Sequence, residues 1–171
     1  LDAMMAVQDC PIAFSPGFRW GTSLLPGQDI TREWLMDMTA TTYSYATVTE
    51  MTGATIKTVL EDVCDNLFNP DPYYQQGGDM VRVGGLQYKC DPTAKAGSRI
   101  TEMRLKGELL DAEKKYKVAG WAPVAEEAKS AGNKQIWEIV EPWLKDQKVI
   151  APRKLNEPGL LNVQPNQGIA Q

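Results

Sequence analysis

One strongly amphipathic segment in the first half of the chain constrains the fold most. Thr52-Gly53 opens this segment, and Asn69-Pro70-Asp71-Pro72 stops it. Between these boundaries the apolar positions recur at spacings of three and four residues: Ile56, Val59, Leu60, Val63, Cys64 and Leu67. That spacing predicts a helix that buries one face against the rest of the domain.

The acidic residues of the same segment are predicted to lie on its solvated face. They are Glu61, Asp62 and Asp65, and Lys57 accompanies them. A metal site is the alternative interpretation of three neighbouring carboxylates. We favour the solvated face, because no histidine or other converging ligand accompanies the carboxylates.

Strand-like runs lie on both sides of the predicted helix. They are rich in β-branched and aromatic residues and cover 12–14, 43–51, 79–90, 99–105 and 116–120. Turn residues at 91–97 predict that the third and fourth runs form a hairpin. Further helical patterns occupy 1–8, a stretch from a cap at Asp29 or Thr31 to Met38, and 136–144, where Pro142 predicts a kink or an interruption. Helices and strands that do not alternate strictly predict an α+β domain with a mixed sheet and packed helices.

The length of 171 residues fits one domain, which we place at 1–150. From Ala151 onward, over 151–171, the composition changes to Pro, Asn, Gln and Gly. This change predicts an extended tail that packs on the domain instead of forming its own core. The chain begins at Leu1, inside a helical pattern and without a signal segment, so we expect it to be a piece of a longer protein.

The charge balance argues against nucleic acid and membrane partners. The formal net charge is −4, whereas surfaces that bind nucleic acid or anionic lipid are basic. No apolar run is long enough to cross a bilayer. We therefore expect neither a nucleic acid nor a membrane to be the main partner.

Histidine is absent from the sequence. Its absence excludes Ser-His-Asp and Cys-His catalysis and His-based zinc or manganese sites in this chain. The three cysteines, Cys10, Cys64 and Cys90, lie far apart without Cys-x-x-Cys spacing, which excludes a zinc knuckle and a thioredoxin-like motif. Buried free thiols are the favoured interpretation of these cysteines, and one disulfide is the alternative.

Residues 15–21, SPGFRWG, form the first candidate binding segment. The small residues allow a ligand to approach the backbone, Arg19 can present a planar set of donors to an oxyanion, and Phe18 or Trp20 can form a wall. The alternative is a tight turn between a strand and a helix with a surface ion pair.

Three other segments supply weaker candidates. Paired glycines flank Asp79 and Arg82, which offer polar groups to a ligand, although the spacing matches no phosphate-binding loop. Trp121 follows a predicted strand, where it faces a cleft or caps the core. Tyr45 is placed to stack on a planar ligand or to pack within a strand. We assign no catalytic residue and no metal ligand to this chain.

Three segments resemble a known family. They are SPGFRWG at 15–21, LEDVCDNLFNPDPYYQQGGDMVRVGG at 60–85 and YKVAGWAP at 116–123. All three resemble the C-terminal domain of the SoxB thiosulfohydrolases, a family whose two-domain plan is similar to that of 5'-nucleotidases. The resemblance extends over nearly the whole chain and implies a 5'-nucleotidase C-terminal domain-like fold.

The resemblance also implies a division of labour. In that family an N-terminal metallophosphoesterase-like domain carries two manganese ions, and the C-terminal domain closes over them and shapes the substrate cleft. The reaction hydrolyses a cysteine S-thiosulfonate on the Gly-rich arm of the SoxYZ carrier and releases sulfate. The resemblance therefore implies that this chain recognises substrate, is inactive alone, binds no cofactor itself and works in the periplasm beside its own N-terminal domain.

Residue by residue, the resemblance places Arg19 where nucleotidases have the arginine of Asn-x-Gly-Gly-x-Arg, so Arg19 is expected to hold sulfonate oxygens. Two departures bear on the substrate. Tyr43-Ser44-Tyr45 replaces a Phe-x-Phe segment, and Gly120-Trp121-Ala122-Pro123 replaces a longer loop that supplies the opposite aromatic ring. A base sandwich is therefore disfavoured. The alternatives are a nucleotidase C-terminal domain and a non-catalytic module that binds an anion or a carrier arm.

Overall fold

The computed structural model describes residues 1–17, 23–39, 43–76, 80–121, 132–151 and 156–163. Within them lie four helices: α1 (Asp2–Gln8), α2 (Arg32–Thr39), α3 (Gly53–Phe68) and α4 (Ile136–Gln147). The strands are β1 (Ile12–Ser15), β2 (Ala46–Thr52), β3 (Arg82–Gly84), β4 (Leu86–Cys90), β5 (Ile100–Leu105), β6 (Glu108–Leu109), β7 (Lys115–Trp121) and β8 (Gly159–Leu160). The predicted α+β class is confirmed.

The strands form two mixed sheets of four strands each. The first has the order β2-β7-β1-β3, and the second has the order β6-β5-β4-β8. In the first sheet β1 and β7 are parallel, whereas β2 and β3 run antiparallel to their neighbours. In the second sheet β4 and β5 form the predicted hairpin, and β8 runs parallel to β4.

The first sheet separates two clusters of buried residues. Alternation along β1 directs Ile12 and Phe14 to the cluster that contains the buried face of α3 and residues of the second sheet. Ala13 belongs to the other cluster, with residues of α1 and α4. The chain therefore consists of a central sheet with α1 and α4 on one face and α3 with the second sheet on the other.

Threonine side chains cap the starts of α3 and α2. Thr52 precedes α3, and its hydroxyl accepts a hydrogen bond from the N–H of Thr55 at 3.1 Å. Thr31 serves α2 in the same way, accepting from the N–H of Trp34 at 3.2 Å. Helix α4 continues through Pro142 as one element.

The run 79–90 was predicted as one strand, and that prediction is wrong. The run divides at Gly85 into β3 and β4, which belong to different sheets. Gly85 has a φ of 78°, and a Cβ atom there would lie 2.0 Å from the carbonyl oxygen of Pro11. Glycine is needed at this point because the backbone turns through the left-handed region while touching another segment.

The prediction that the acidic residues of α3 lie on a solvated face is wrong for Glu61. Its side chain is buried, and its carboxylate accepts four hydrogen bonds. The donors are Lys57 Nζ at 2.6 Å and the backbone N–H groups of Ile100, Gly97 and Arg99 at 2.8, 2.9 and 3.2 Å. Glu61 thus joins α3 to the end of the β4–β5 connection.

A second carboxylate of α3, Asp65, binds the same connection through Arg99. The Arg99 side chain is 2% exposed, and its Nη1 lies 2.5 Å from Asp65 Oδ1. Its other groups donate to the carbonyls of Ala94 at 2.9 Å and Phe68 at 3.3 Å. Because each nitrogen of this buried guanidinium has an acceptor, its charge is compensated. Asp62, in contrast, is exposed as predicted.

We expect the domain to lose stability in acid. Burial alone would raise the pKa of Glu61, but the hydrogen bonds from Lys57, Ile100 and Arg99 outweigh burial and hold this pKa below the ordinary 4.5. The pKa of Asp65 is also lowered, chiefly by the hydrogen bond from Arg99. Carboxylates with a lower pKa in the folded state stabilise the fold above the unfolded pKa, and this contribution is lost as the pH falls through the folded pKa.

Urea unfolding at about pH 6 and about pH 3.5 measures this loss, and the midpoint concentration is expected to be lower at the acidic pH. The Glu61→Gln variant lacks one of the titrating groups, so its midpoint should fall by less between the two pH values. An equal decrease in both proteins would show that Glu61 does not carry the effect.

The described part of the predicted tail, 156–163, lies along the two sheets. Asn156 Nδ2 donates to the carbonyls of Val83 at 2.9 Å and Leu86 at 2.8 Å. Farther along, β8 extends the second sheet. Among the described residues, no helix is both long enough and apolar enough to cross a bilayer.

Candidate functional site

Four strand ends of the first sheet meet at one edge, which we call the site edge. The parallel strands β1 and β7 place their carboxyl ends there, and the antiparallel strands β2 and β3 place their amino ends there. Three of the predicted binding residues lie at this edge: Tyr45, Arg82 and Trp121. The topology therefore brings together residues that are far apart in the sequence.

A row of paired residues crosses the sheet at the site edge. Ala46 pairs with Trp121, and Ser15 pairs with Arg82. The inner strands β1 and β7 are paired one residue earlier, at Phe14 and Gly120. Because neighbouring strands lie about 4.8 Å apart, the two ends of the row are separated by roughly 14 Å. The row presents Arg82 at one end and the aromatic residues near the other.

Arg82 is the cation of the site edge. Its side chain is exposed, and its Nε donates a hydrogen bond to the carbonyl of Gly17, just before the predicted anion-binding residues. Within the described part of the chain this is the one hydrogen bond of the guanidinium. Among the described residues the two terminal nitrogens have no acceptor, and their geometry suits two oxygens of an anion held side by side.

A cavity of about 390 Å³ adjoins Arg82. Its lining includes Leu1, Gly17 and Tyr88, together with Glu157 from the tail. The cavity holds one cationic and one anionic side chain, so it is not by itself an anion site. Gly17 and Arg82 both line the cavity, so a ligand inside it would lie beside the Arg82 side chain.

The two aromatic residues of the site edge occupy different surroundings. Trp121 packs against the buried cluster formed with α1 and α4 while remaining partly exposed. Tyr45 pairs with Gln135 just ahead of α4. Alternation from Ala46, which belongs to the Trp121 cluster, places Tyr45 on the opposite face of the sheet. The two rings therefore do not form the walls of one stack.

The start of α4 holds Tyr45 in place. Ala46 donates its N–H to the carbonyl of Lys134 at 2.9 Å, and Ile136 donates its N–H to the carbonyl of Ser44 at 2.8 Å. These bonds on both sides of Tyr45 fix the backbone at the site edge. The position of the ring is thus set by tertiary pairing between β2 and α4.

The other predicted binding residues, Phe18, Arg19, Trp20 and Asp79, lie outside the described residues. Tyr88 and Asn156 border the site edge but were not predicted. Burial raises the pKa of Tyr88 to about 12, with smaller contributions from Cys90 and Cys64. The alternation of apolar and polar residues over 86–90 is the sequence signal that points to Tyr88 as a buried residue, whereas no local pattern identifies Asn156.

The described residues do not supply a metal site. They contain no group of three or more histidine, cysteine, aspartate or glutamate side chains arranged to hold a metal ion. The two carboxylates of α3 that come closest to such a group are engaged by Lys57, Arg99 and backbone N–H groups. Two manganese ions therefore do not fit the donor groups of this part of the chain.

Comparison with known protein families gives a match over most of the chain. Residues 1–130 match the family described as the 5'-nucleotidase C-terminal domain. Comparison with curated proteins gives no significant match.

Solved structures of similar shape include a sulfate thiohydrolase SoxB from Thermus thermophilus, determined in complex with glycerol. It is 34% identical over 95% of this chain, with a TM-score of 0.82. A 5'-nucleotidase precursor, also from Thermus thermophilus, and the NAD nucleotidase of Haemophilus influenzae each give a TM-score of 0.68, with identities of 22% and 18% over 95% and 94% of this chain. This chain covers 31%, 34% and 32% of the three solved chains, respectively, or about a third of each.

Proposed function

Because the chain belongs to the 5'-nucleotidase C-terminal domain family, we propose that it is the substrate-recognition domain of a two-domain hydrolase. The proposed substrate is a cysteine S-thiosulfonate on the Gly-rich arm of a SoxYZ-type carrier, and the product is sulfate. The observation that carries this proposal is the 34% identity with the Thermus thermophilus sulfate thiohydrolase over 95% of this chain. The nucleotidases are less similar, at 22% and 18% identity.

In this proposal the catalytic metals belong to another domain. As the resemblance implies, the proposed metal-bearing domain is metallophosphoesterase-like and precedes this domain in the complete protein. The proposed reaction is periplasmic, as the resemblance to the SoxB family implies.

The proposed role of this chain is to bind and orient the anionic end of the substrate. Arg82 offers two terminal nitrogens to sulfonate oxygens, and Arg19 offers a second guanidinium two residues beyond Gly17. The site edge spans roughly 14 Å, which suits an extended peptide arm lying along it. Trp121 and Tyr45, on opposite faces of the sheet, are positioned to contact the arm at separate points.

Substitution of the two arginines tests the proposal in the two-domain enzyme. We expect Arg19→Ala to lower kcat/KM for sulfate release by about 100-fold, because it removes a donor to a developing oxyanion. Arg82→Ala is expected to lower it by about 10-fold, because a hydrogen bond from a charged donor is lost. Circular dichroism and the Tm should remain close to those of the unsubstituted enzyme.

Arg104→Ala is the matched control. Arg104 also donates to a glycine carbonyl, that of Gly107 at 3.0 Å, but it lies on β5 in the second sheet. Equal losses in Arg82→Ala and Arg104→Ala would assign Arg82 a structural role. Two other results would favour the alternative functions. Hydrolysis of adenosine monophosphate by the two-domain enzyme would favour a nucleotidase. A coding sequence without metal-ligand motifs ahead of Leu1 would favour a non-catalytic binding module.

A further inference from the structure

Two of the three cysteines face each other in the core beneath the first sheet. Cys64 lies on α3 and Cys90 ends β4, and their Sγ atoms are 3.5 Å apart. Both side chains are buried, at 0% and 3% exposure. They belong to the cluster on the α3 face of the sheet, with Ile100 and Tyr88 among their neighbours.

The third cysteine is separate from this pair. Cys10 belongs to the cluster on the opposite face of the first sheet, and its thiol donates to the carbonyl of Gln8 at 3.4 Å. The central sheet thus stands between Cys10 and the other two. The fold selects one pairing from the three that three cysteines allow.

We propose that Cys64 and Cys90 are joined by a disulfide when the chain folds in the presence of a disulfide donor. The bond would join the middle of α3 to the end of β4. The sulfur atoms need to approach by roughly 1.5 Å to reach the bonded distance of about 2.05 Å. Movements of that size are available to two side chains through small changes in their torsion angles.

The reaction is a thiol–disulfide exchange with a low-molecular-weight disulfide such as oxidised glutathione. One cysteine sulfur attacks the donor and forms a mixed disulfide, and the other then displaces the second donor sulfur. The Cys64–Cys90 bond forms, the donor S–S bond breaks, and the two thiol protons end on the two donor thiols. The protein loses two electrons and the donor gains them.

The exchange belongs to the folding stage, before the core closes. Burial raises the pKa of both thiols, that of Cys64 to about 12, and the thiolate is the form that attacks. In the folded chain a donor cannot reach either sulfur. A chain folded under reducing conditions is therefore expected to keep both thiols for much longer than an unfolded chain exposed to the same donor.

Refolding the full chain with oxidised and reduced glutathione tests the proposal. Titration of thiols in denaturant is expected to detect one free cysteine per chain, and peptide mapping should recover a linked pair that contains Cys64 and Cys90. The oxidised chain should unfold at a Tm on the order of 10 °C above that of the chain refolded in reductant, because the bond closes a loop of 26 residues. Three free thiols after oxidative refolding would overturn the proposal.

Cys10→Ala is the matched variant, since it retains both members of the pair. It is expected to have no titratable thiol after oxidative refolding and to show the same increase in Tm on oxidation. A linked peptide that contains Cys10 in the unsubstituted chain would contradict the assigned pairing. Oxidation of the folded reduced chain at the rate seen for the unfolded chain would contradict formation of the bond during folding.

Discussion

Replacing Glu61 with alanine is expected to lower the free energy of unfolding by about 2–6 kcal/mol, because two buried backbone N–H groups lose their acceptor. The carboxylate accepts from Lys57 and from the N–H groups of Gly97, Arg99 and Ile100. Alanine would leave the buried N–H groups of Arg99 and Ile100 without this acceptor, and each unsatisfied buried donor costs about 1–3 kcal/mol. Lys57 would keep its second acceptor, the carbonyl of Gly97 at 2.7 Å. The Glu61 link between α3 and the β4–β5 connection would be lost.

Asp62→Ala is the control for this prediction. Asp62 is the next residue of the same helix and carries the same charge, but it is exposed. Its substitution is expected to change the free energy of unfolding by no more than about 0.5 kcal/mol. Urea unfolding of both variants gives the comparison, and similar values for the two would show that the Glu61 contacts do not stabilise the fold.

Replacing Gly85 with alanine is expected to destabilise the chain by about 2–5 kcal/mol. A left-handed backbone costs a residue with a Cβ atom about 1–2 kcal/mol, and forcing an extra carbon into a packed region costs about 1–3 kcal/mol. The new Cβ would lie 2.0 Å from the Pro11 carbonyl oxygen, which is backbone and cannot rotate away. Relief of the clash requires β3 to move relative to β1.

Gly107→Ala separates the two causes. Gly107 has a φ of 88°, and a Cβ atom there would meet no atom within 4 Å. Its substitution therefore introduces the backbone strain without the clash and should cost about 1–2 kcal/mol. Thermal unfolding of the two variants measures the difference. Equal destabilisation would show that the contact with Pro11 relaxes without cost.

The helices could be predicted from the sequence because their signals are local. The apolar spacing from Ile56 to Leu67 and the cap at Thr52 fall within one element, and α3 begins and ends where these signals place it. The hairpin of β4 and β5 also arises from nearby residues. The number of sheets was not predicted, because the division at Gly85 results from a contact with Pro11, far away in the sequence.

The role of Glu61 could not be predicted for a related reason. Glu61 and Asp62 are adjacent carboxylates on one helix, and hydrophobic periodicity treats both as polar positions. What separates them is the connection between β4 and β5, where the N–H groups of Gly97, Arg99 and Ile100 donate to Glu61. A buried carboxylate with a complete set of donors is visible in the tertiary structure and not in the helical pattern.

The sequence predicted which residues could bind a ligand but not how these residues are arranged in space. The flanking glycines pointed to Arg82, and the position after a predicted strand pointed to Trp121. The sheet topology places both residues at the site edge. The sequence did not predict that Tyr45 and Trp121 lie on opposite faces of the first sheet, because this placement depends on the antiparallel pairing of β2 with β7. The family match supports the fold independently of these details.

The parallel pairing of β1 with β7 has a consequence for the order in which the chain assembles during synthesis. Ile12 pairs with Val118, so β1 leaves the ribosome long before its central partner exists, by about 5–20 s at ordinary elongation rates. The β4–β5 hairpin and α3 can meet in that interval, because closing a short loop costs less entropy than closing a long one. We therefore expect the β4–β5 hairpin with α3 to nucleate folding and the pairing of β1 with β7 to form later.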